Sequence, residues 1–265
     1  MRKYRLKPSW VKAIAAGGDE GRDAFEQYKQ WRAEPDQSQV QLDNEFLYLL
    51  AEQPDLTQCG VTVLEEAARI FSQRDLYPKP QAFVSHLEAS VDLPLPSLHW
   101  AYLRLSNVVL SEAKIRAIFQ QSKLLAETGH PLAENNLGWL HEYGLGVAQD
   151  YGQAASCYEK AAEQGLDIAQ VNLANLYEKG LGVPKKYSTA EYWYKKANKQ
   201  KNTIACYHIG RSYEEGWSDL NAYLPSDGVV NEESEVGKRV SFRQAYLLYE
   251  LAARRGFPPA MSRLA

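Results

Sequence analysis

Cysteine is scarce in this chain of 265 residues: Cys59, Cys157 and Cys206 are all it has. An odd number, scattered along the sequence, does not make a disulfide framework, and a reducing compartment is the simpler reading. Long apolar runs are missing too. None approaches the ~20 residues that a bilayer-spanning helix needs, so no membrane insertion is expected. Lys12 splits the apolar residues behind the basic start into Trp10-Val11 and Ala13-Ile14-Ala15-Ala16, too short for a secretory signal. The expected location is cytoplasmic. Charge of one sign is also lacking, since 30 Lys and Arg stand against 33 Asp and Glu. The net charge of −3 leaves no positive field to hold nucleic acid. With 12 prolines and 17 glycines the chain is neither collagenous nor disordered, and its 45% of hydrophobic residues can bury the core of one long domain or two modest ones. What is abundant is tyrosine, 17 residues, with 6 tryptophans. Such rings serve equally in helix packing and at contact surfaces.

The sequence repeats itself every 36 residues. Ala133, Ala169 and Ala205 align, as do Leu137, Leu173 and Ile209, then Gly144, Gly180 and Gly216. Tyr151 falls on Tyr187, Ala154 on Ala190, Tyr158 on Tyr194 and Ala161 on Ala197. Each unit reads as two helices about a glycine-rich turn. Leu132, Ala133, Asn136, Leu137 and Leu140 lie at helical spacing and give helix A an apolar stripe. Gly144 ends that helix, because a glycine just past the last turn takes the left-handed conformation without a Cβ clash. Ala154, Cys157, Tyr158, Ala161 and Ala162 then make the stripe of helix B, which Gly165 stops. Residues 131 to 200 hold two close copies, with Gly138 replaced by Ala174 and Gly165 by Lys201. A third starts at Ala205, Ile209-Gly210, Tyr213 and Gly216 and resumes at Ala245, Tyr249, Leu251-Ala252-Ala253 and Gly256. Gly180 to Ala190 is 10 residues whereas Gly216 to Ala245 is 29, so an insertion of 19 lies inside the third unit, at about 217–241. Pro258 to Ala265 reads as the opening of a fourth helix A, a short terminal helix.

The pattern Ala133, Leu137-Gly138, Gly144-Leu145-Gly146-Val147, Asp150-Tyr151, Ala154, Tyr158 and Lys160-Ala161-Ala162-Glu163-Gln164-Gly165 resembles the Sel-one-like repeat, a relative of the tetratricopeptide repeat. The resemblance implies an all-α fold, a right-handed α-solenoid of antiparallel helix pairs. It fades before residue 131. Residues 97–130 read as a degenerate repeat, with Trp100 to Val108 in helix A and Ser111 to Thr128 in helix B. Residues 1–96 read as a divergent helical region with helices near 9–16, 20–33, 40–52, 61–74 and 79–90, broken at Gly17-Gly18 and at prolines. They either continue the solenoid or form a separate helical domain. Some secreted members of the family clip the two helices of one repeat with a disulfide. The pairing positions are not both Cys in any unit here, so free thiols are expected.

Catalytic motifs fail one by one. His141-Glu142 opens like a zinc-protease helix, but position 145 is Leu, and His141 occupies the repeat slot of Tyr177 and Tyr213. Gly144-Leu145-Gly146 has Gln149 where a phosphate loop needs its third glycine, and it recurs at Gly180-Leu181-Gly182 as a helix joint. Gly216-Trp217-Ser218-Asp219-Leu220 lacks the closing glycine and preceding strand of a nucleophile elbow. No catalytic residue, metal ligand or cofactor site is therefore expected. The basic start reads as a solvated terminus or an arm for an anionic partner.

A solenoid offers the face of its A helices to a partner segment lying across several units. The residues there that packing does not need are the columns Asn135, Val171, Tyr207 and Trp139, Asn175, Arg211, four residues apart within each unit. Trp and Arg are the types enriched at the energetic centres of interfaces. In the insertion, Trp217, Tyr223 and Leu224 accompany Asp219, Asp227, Glu232, Glu233 and Glu235, which suits either a partner contact or a tolerated surface loop. The resemblance implies a non-catalytic adaptor or scaffold that binds another protein on its concave helix-A surface. An immunity protein neutralising a cognate bacterial toxin is the first alternative, and an enzyme with its site in the amino-terminal half the second.

Overall fold

The computed structural model describes residues 8–32, 111–217, 235–254 and 257–264, together with the single positions Phe46, Val63, Pro96, His99 and Leu103. Among them are ten helices and no strand. The helices expected at 40–52, 61–74 and 79–90 lie outside the described residues, apart from Phe46 and Val63. So do Cys59, Tyr223 and most of the insertion. The chain divides into two compact units, residues 1–118 and 119–265.

The first unit opens with α1 (Pro8–Ala16) and α2 (Gly18–Arg32), close to the two helices read from the sequence. Pro8 suits the first turn, where its missing N–H is not needed. Gly17 and Gly18, at φ 75° and 69°, make the sharp reversal between the two helices. Trp10 meets Trp31 edge-on at 5.8 Å, and Tyr28 stacks on Phe46 at 4.5 Å. Val11, Ile14, Phe25, Tyr28 and Phe46 are buried, and the three rings among them lie stacked together.

The boundary between the units falls within α3 (Glu112–Glu127). After it come α4 (Pro131–Tyr143), α5 (Tyr151–Glu163), α6 (Asp167–Lys179), α7 (Tyr187–Lys199), α8 (Thr203–Glu215), α9 (Glu235–Arg254) and α10 (Pro258–Leu264). Each A helix packs on its own B helix: α4 on α5, α6 on α7, α8 on α9. Each B helix then packs on the next A helix, which makes an α-solenoid of antiparallel pairs.

The repeated residues account for this stacking. Ala133, Ala169, Ala205 and Ala260 are all fully buried, as are Ala161, Ala197 and Ala252. Small side chains at these points let neighbouring helices approach, and the buried rings of Tyr158, Tyr194 and Tyr249 fill the wider spaces. Gly144, Gly180 and Gly216 end the A helices in the left-handed conformation, their N–H groups donating to the carbonyls of Leu140, Leu176 and Ser212. Gly182 has a different role. A Cβ there would lie 2.2 Å from the carbonyl carbon of Tyr151, because the loop of the second repeat rests on the backbone that opens α5. Trp217, next after the capping Gly216, stacks on Tyr187 at 4.9 Å. It thus occupies the joint position of Leu145 and Leu181.

The third repeat keeps this scheme with one change. Its helix B, α9, has 20 residues where α5 and α7 have 13, so part of the insertion extends that helix at its amino end.

Candidate functional site

A polar rung joins the two helices of every repeat. The Tyr158 hydroxyl donates to Glu142 Oε2 at 2.7 Å, that of Tyr194 to Glu178 Oε2 at 2.8 Å, and that of Tyr249 to Glu214 Oε2 at 2.5 Å. The acids share the 36-residue period. Acid and phenol are 16 residues apart in the first two repeats and 35 in the third, the difference being the insertion. A phenol buried in a helical core needs an acceptor, and a carboxylate on the neighbouring helix supplies it at the strength of a charge-assisted bond. This column of glutamates was open to inspection in the sequence and was missed there. Glutamate is ordinarily a solvated helix residue, and only the packing of A on B shows what it accepts.

The next repeat decides how each acid is balanced. Arg211 pairs with Glu178 and also places Nε 3.3 Å from Glu215 Oε1. Burial raises the Glu178 carboxyl, but the neighbouring His208, the Tyr194 hydroxyl that donates to it and the charge of Arg211 outweigh burial and bring it down to about 2. His208 Nδ1 stands 3.6 Å from Glu178 Oε2, beyond hydrogen-bond length, and burial lowers the ring's own pKa. The imidazole is therefore neutral near pH 7, stacked flat on Tyr194 at 4.7 Å, and Arg211 is the cation of the cluster. Glu214 is held by Arg263, whose Nη1 lies 3.0 and 3.1 Å from its two oxygens. Glu142 differs from both. The positions from which His208 and Arg211 face Glu178 are filled, one repeat earlier, by Asn172 and Asn175. Among the described residues no lysine or arginine pairs with Glu142, and burial raises its carboxyl, with Tyr158, Lys179 and Tyr143 pulling less strongly the other way.

The columns singled out in the sequence divide between interior and surface. Asn135 and Val171 are 0% and 3% exposed. Asn135 accepts from Asn172 Nδ2 at 2.9 Å, a link from one repeat to the next. These two therefore serve the packing between repeats and present no surface of their own. Tyr207 is partly exposed, between Tyr249 at 5.4 Å and Phe257 at 5.3 Å. Trp139, Asn175 and Arg211 all keep partial exposure. Trp139 lies 4.3 Å from the ring of Tyr143, which is 52% exposed. Asn175 meets the Tyr194 hydroxyl at 2.5 Å. The atom facing the hydroxyl is Asn175 Oδ1, so the amide oxygen and Glu178 Oε2 share the one proton that hydroxyl donates. Trp217 is partly buried and donates its Nε1–H to Glu215 at 3.1 Å.

His141 packs edge-on against Phe119 at 5.9 Å, as befits its repeat slot. Cys157 and Cys206 are free thiols, Cys206 fully buried and Cys157 partly so, with burial pushing the Cys157 thiol up. Among the described residues no group of histidine, cysteine and acidic side chains could hold a metal, and no helix is long and apolar enough to cross a membrane.

The Sel1 repeat family matches residues 131–166, 167–202 and 231–257. No curated protein matches the chain. Among solved structures the chain is similar to a Sel1 repeat protein from Oxalobacter formigenes, at 30% identity over 57% of this chain and 54% of that one, with a TM-score of 0.45. It is similar also to c5321, a protective antigen of uropathogenic Escherichia coli with an SLR fold, at 20% identity over 98% and 51% and a TM-score of 0.46. A third is the immunity protein Pa5087 from Pseudomonas aeruginosa, at 18% identity over 98% and 89% and a TM-score of 0.48. The chain spans about half the length of the first two. With all three scores below 0.5, the repeat match and not these likenesses carries the assignment. Proteins of this class are generally protein-interaction scaffolds, and the fold is typically non-catalytic. Residues 131–166, 167–202 and 231–257 thus carry three Sel1 repeats.

Proposed function

We propose that this protein is a non-catalytic scaffold that holds a partner polypeptide along the face of its A helices, with Trp139, Asn175, Tyr207 and Arg211 as the contact residues. Asn135 and Val171 fix the spacing of that face from behind. Trp217 and Tyr223 belong to a second contact region at the insertion. The observation that carries this reading is the Trp139, Asn175, Arg211 column. It keeps the repeat's spacing and partial exposure while its chemistry changes from aromatic to amide to cation, whereas the alanine and glycine columns beside it hardly vary. Fixed spacing with changeable side chains is what recognition across several units requires. Arg211 acts here as an ion-paired part of the wall, its side chain 20% exposed, rather than as a loose charge.

The test is site-specific photocross-linking in the native cell. A benzophenone amino acid at position 139 or 175 is expected to give a discrete adduct with another protein. The same group at Tyr192, 51% exposed on helix B, should not. Adducts of equal yield from all three positions, or none from 139 and 175, would remove the A-helix face as the binding surface.

A further inference from the structure

The three acids of the rungs are equivalent in sequence position and in their tyrosine donor, but not in charge balance. Glu178 has Arg211 of the next repeat, and Glu214 has Arg263 of α10. In both cases the chain brings a guanidinium to the acid from the following A helix. Arg263 does so from the position equivalent to His208, three residues before that of Arg211. Glu142 has an asparagine at each of those two positions, and both amides are engaged elsewhere. Asn172 donates to Asn135 Oδ1 at 2.9 Å, and Asn175 meets the Tyr194 hydroxyl at 2.5 Å. What holds Glu142 is a pair of phenol groups, the Tyr158 hydroxyl and that of Tyr143, which are neutral donors. Lys179 acts on it from a distance and forms no ion pair with it. The acid is partly exposed, on the same face of α4 as Trp139 three residues before it, and it adjoins Tyr143.

We infer that Glu142 is a docking point for an arginine side chain of the partner polypeptide, which supplies from outside the guanidinium that Arg211 and Arg263 supply from within. The chain itself shows the fit. Where the pairing is internal, a planar guanidinium is used both times, and at Glu214 it spans both carboxylate oxygens. A partly buried carboxylate that no described lysine or arginine pairs with is left at a disadvantage that an incoming cation relieves, and this gives the first repeat a preference the other two have already satisfied internally. The raised carboxyl of Glu142 agrees with that disadvantage. This inference rests on the A-helix face being the binding surface and adds the chemistry it selects.

The test uses the full chain, 15N-labelled, titrated with acetyl-Gly-Arg-Gly-amide and with the citrulline peptide of the same shape and no charge. The reporter is the Trp139 indole N–H resonance, assigned by its loss in Trp139→Phe. The arginyl peptide is expected to shift it saturably and the citrulline peptide to leave it in place. Glu142→Gln keeps an acceptor for Tyr158 and so keeps the fold; it should weaken the arginyl peptide by roughly tenfold, the size of one charge-assisted contact. Asn175→Arg, which builds the internal guanidinium of the second repeat into the first, should weaken it similarly with Glu142 intact. No saturable shift, equal response to both peptides, or unchanged binding in either variant would overturn the inference. Should it fall while position 139 still cross-links to a partner, the binding face stands and only its arginine preference is lost; should the cross-links fail too, both fall.

Discussion

The first and second repeats share one framework and differ in what it is used for. Both have 13-residue helices, a left-handed glycine after helix A and a buried tyrosine reaching back to an acid. In the second the acid is locked by a guanidinium from the third, and in the first it forms no ion pair among the described residues, with Lys179 acting only from a distance. The difference teaches that a unit's electrostatics are set by its successor. The framework residues contribute a place for a carboxylate, and two positions on the next A helix decide whether it is a structural ion pair or an open charge.

Exchanging features between the two repeats tests this. The largest effect is expected from Glu178→Gln, which leaves Arg211 without its main partner. The Glu178 carboxyl lies near 2 against an ordinary 4.5, corresponding to about 3 kcal/mol of stability at neutral pH. Because the folded-state value is depressed, this contribution is complete above pH 4.5 and lost as pH falls towards 2. Urea denaturation at pH 7 and pH 3 should therefore show the wild type and Glu178→Gln converging at the lower pH. A constant gap would mean that the ion pair is not its source.

Next in size is Gly138→Ala, which gives the first repeat the residue that the second has at Ala174. A Cβ at 138 would lie 2.6 Å from two carbons of the buried Tyr158 ring, so the ring must shift, at a cost of roughly 2 kcal/mol. A thermal midpoint equal to the wild type's would show that the two rungs already have the same geometry. In the other direction, Lys201→Gly gives the second repeat the glycine of the first. Lys201 stands at φ 65°, where Gly165 stands at 93°, so the exchange should stabilise the chain by about 1 kcal/mol. The smallest effect belongs to Glu142→Gln in the absence of any partner, within about 0.5 kcal/mol of wild type at pH 7. Its carboxyl is raised, so its favourable share is present at low pH and fades as pH rises, opposite in sign to Glu178. A large loss in this variant at neutral pH would abolish the contrast between the repeats.

The helix pairs were legible because close packing and tight turns are what call for alanine and glycine at a fixed spacing. The two helix pairs within residues 131 to 200 emerge from that alone. The surface was harder to read. In α4 the whole run Ala133 to Gly138 is buried, since a helix inside a stack is covered from more than one side, and the polar Asn135 therefore gives no sign of lying within. Likewise Glu142, Glu178 and Glu214 show their spacing but not their partners, which come from other helices. Arg211 reads as a free recognition residue until its contact with Glu178, 33 residues earlier, is known.

The insertion leaves the rung of the third repeat intact but lengthens the chain segment that it closes. Bringing the ends of a 35-residue segment together costs about 0.6 kcal/mol more than for one of 16, since each doubling of a loop adds roughly that much. A chain refolding from denaturant thus closes its first two rungs at lower entropic cost than its third. The 36-residue period sets one closure cost for the first two rungs, and the insertion alone separates the third from them.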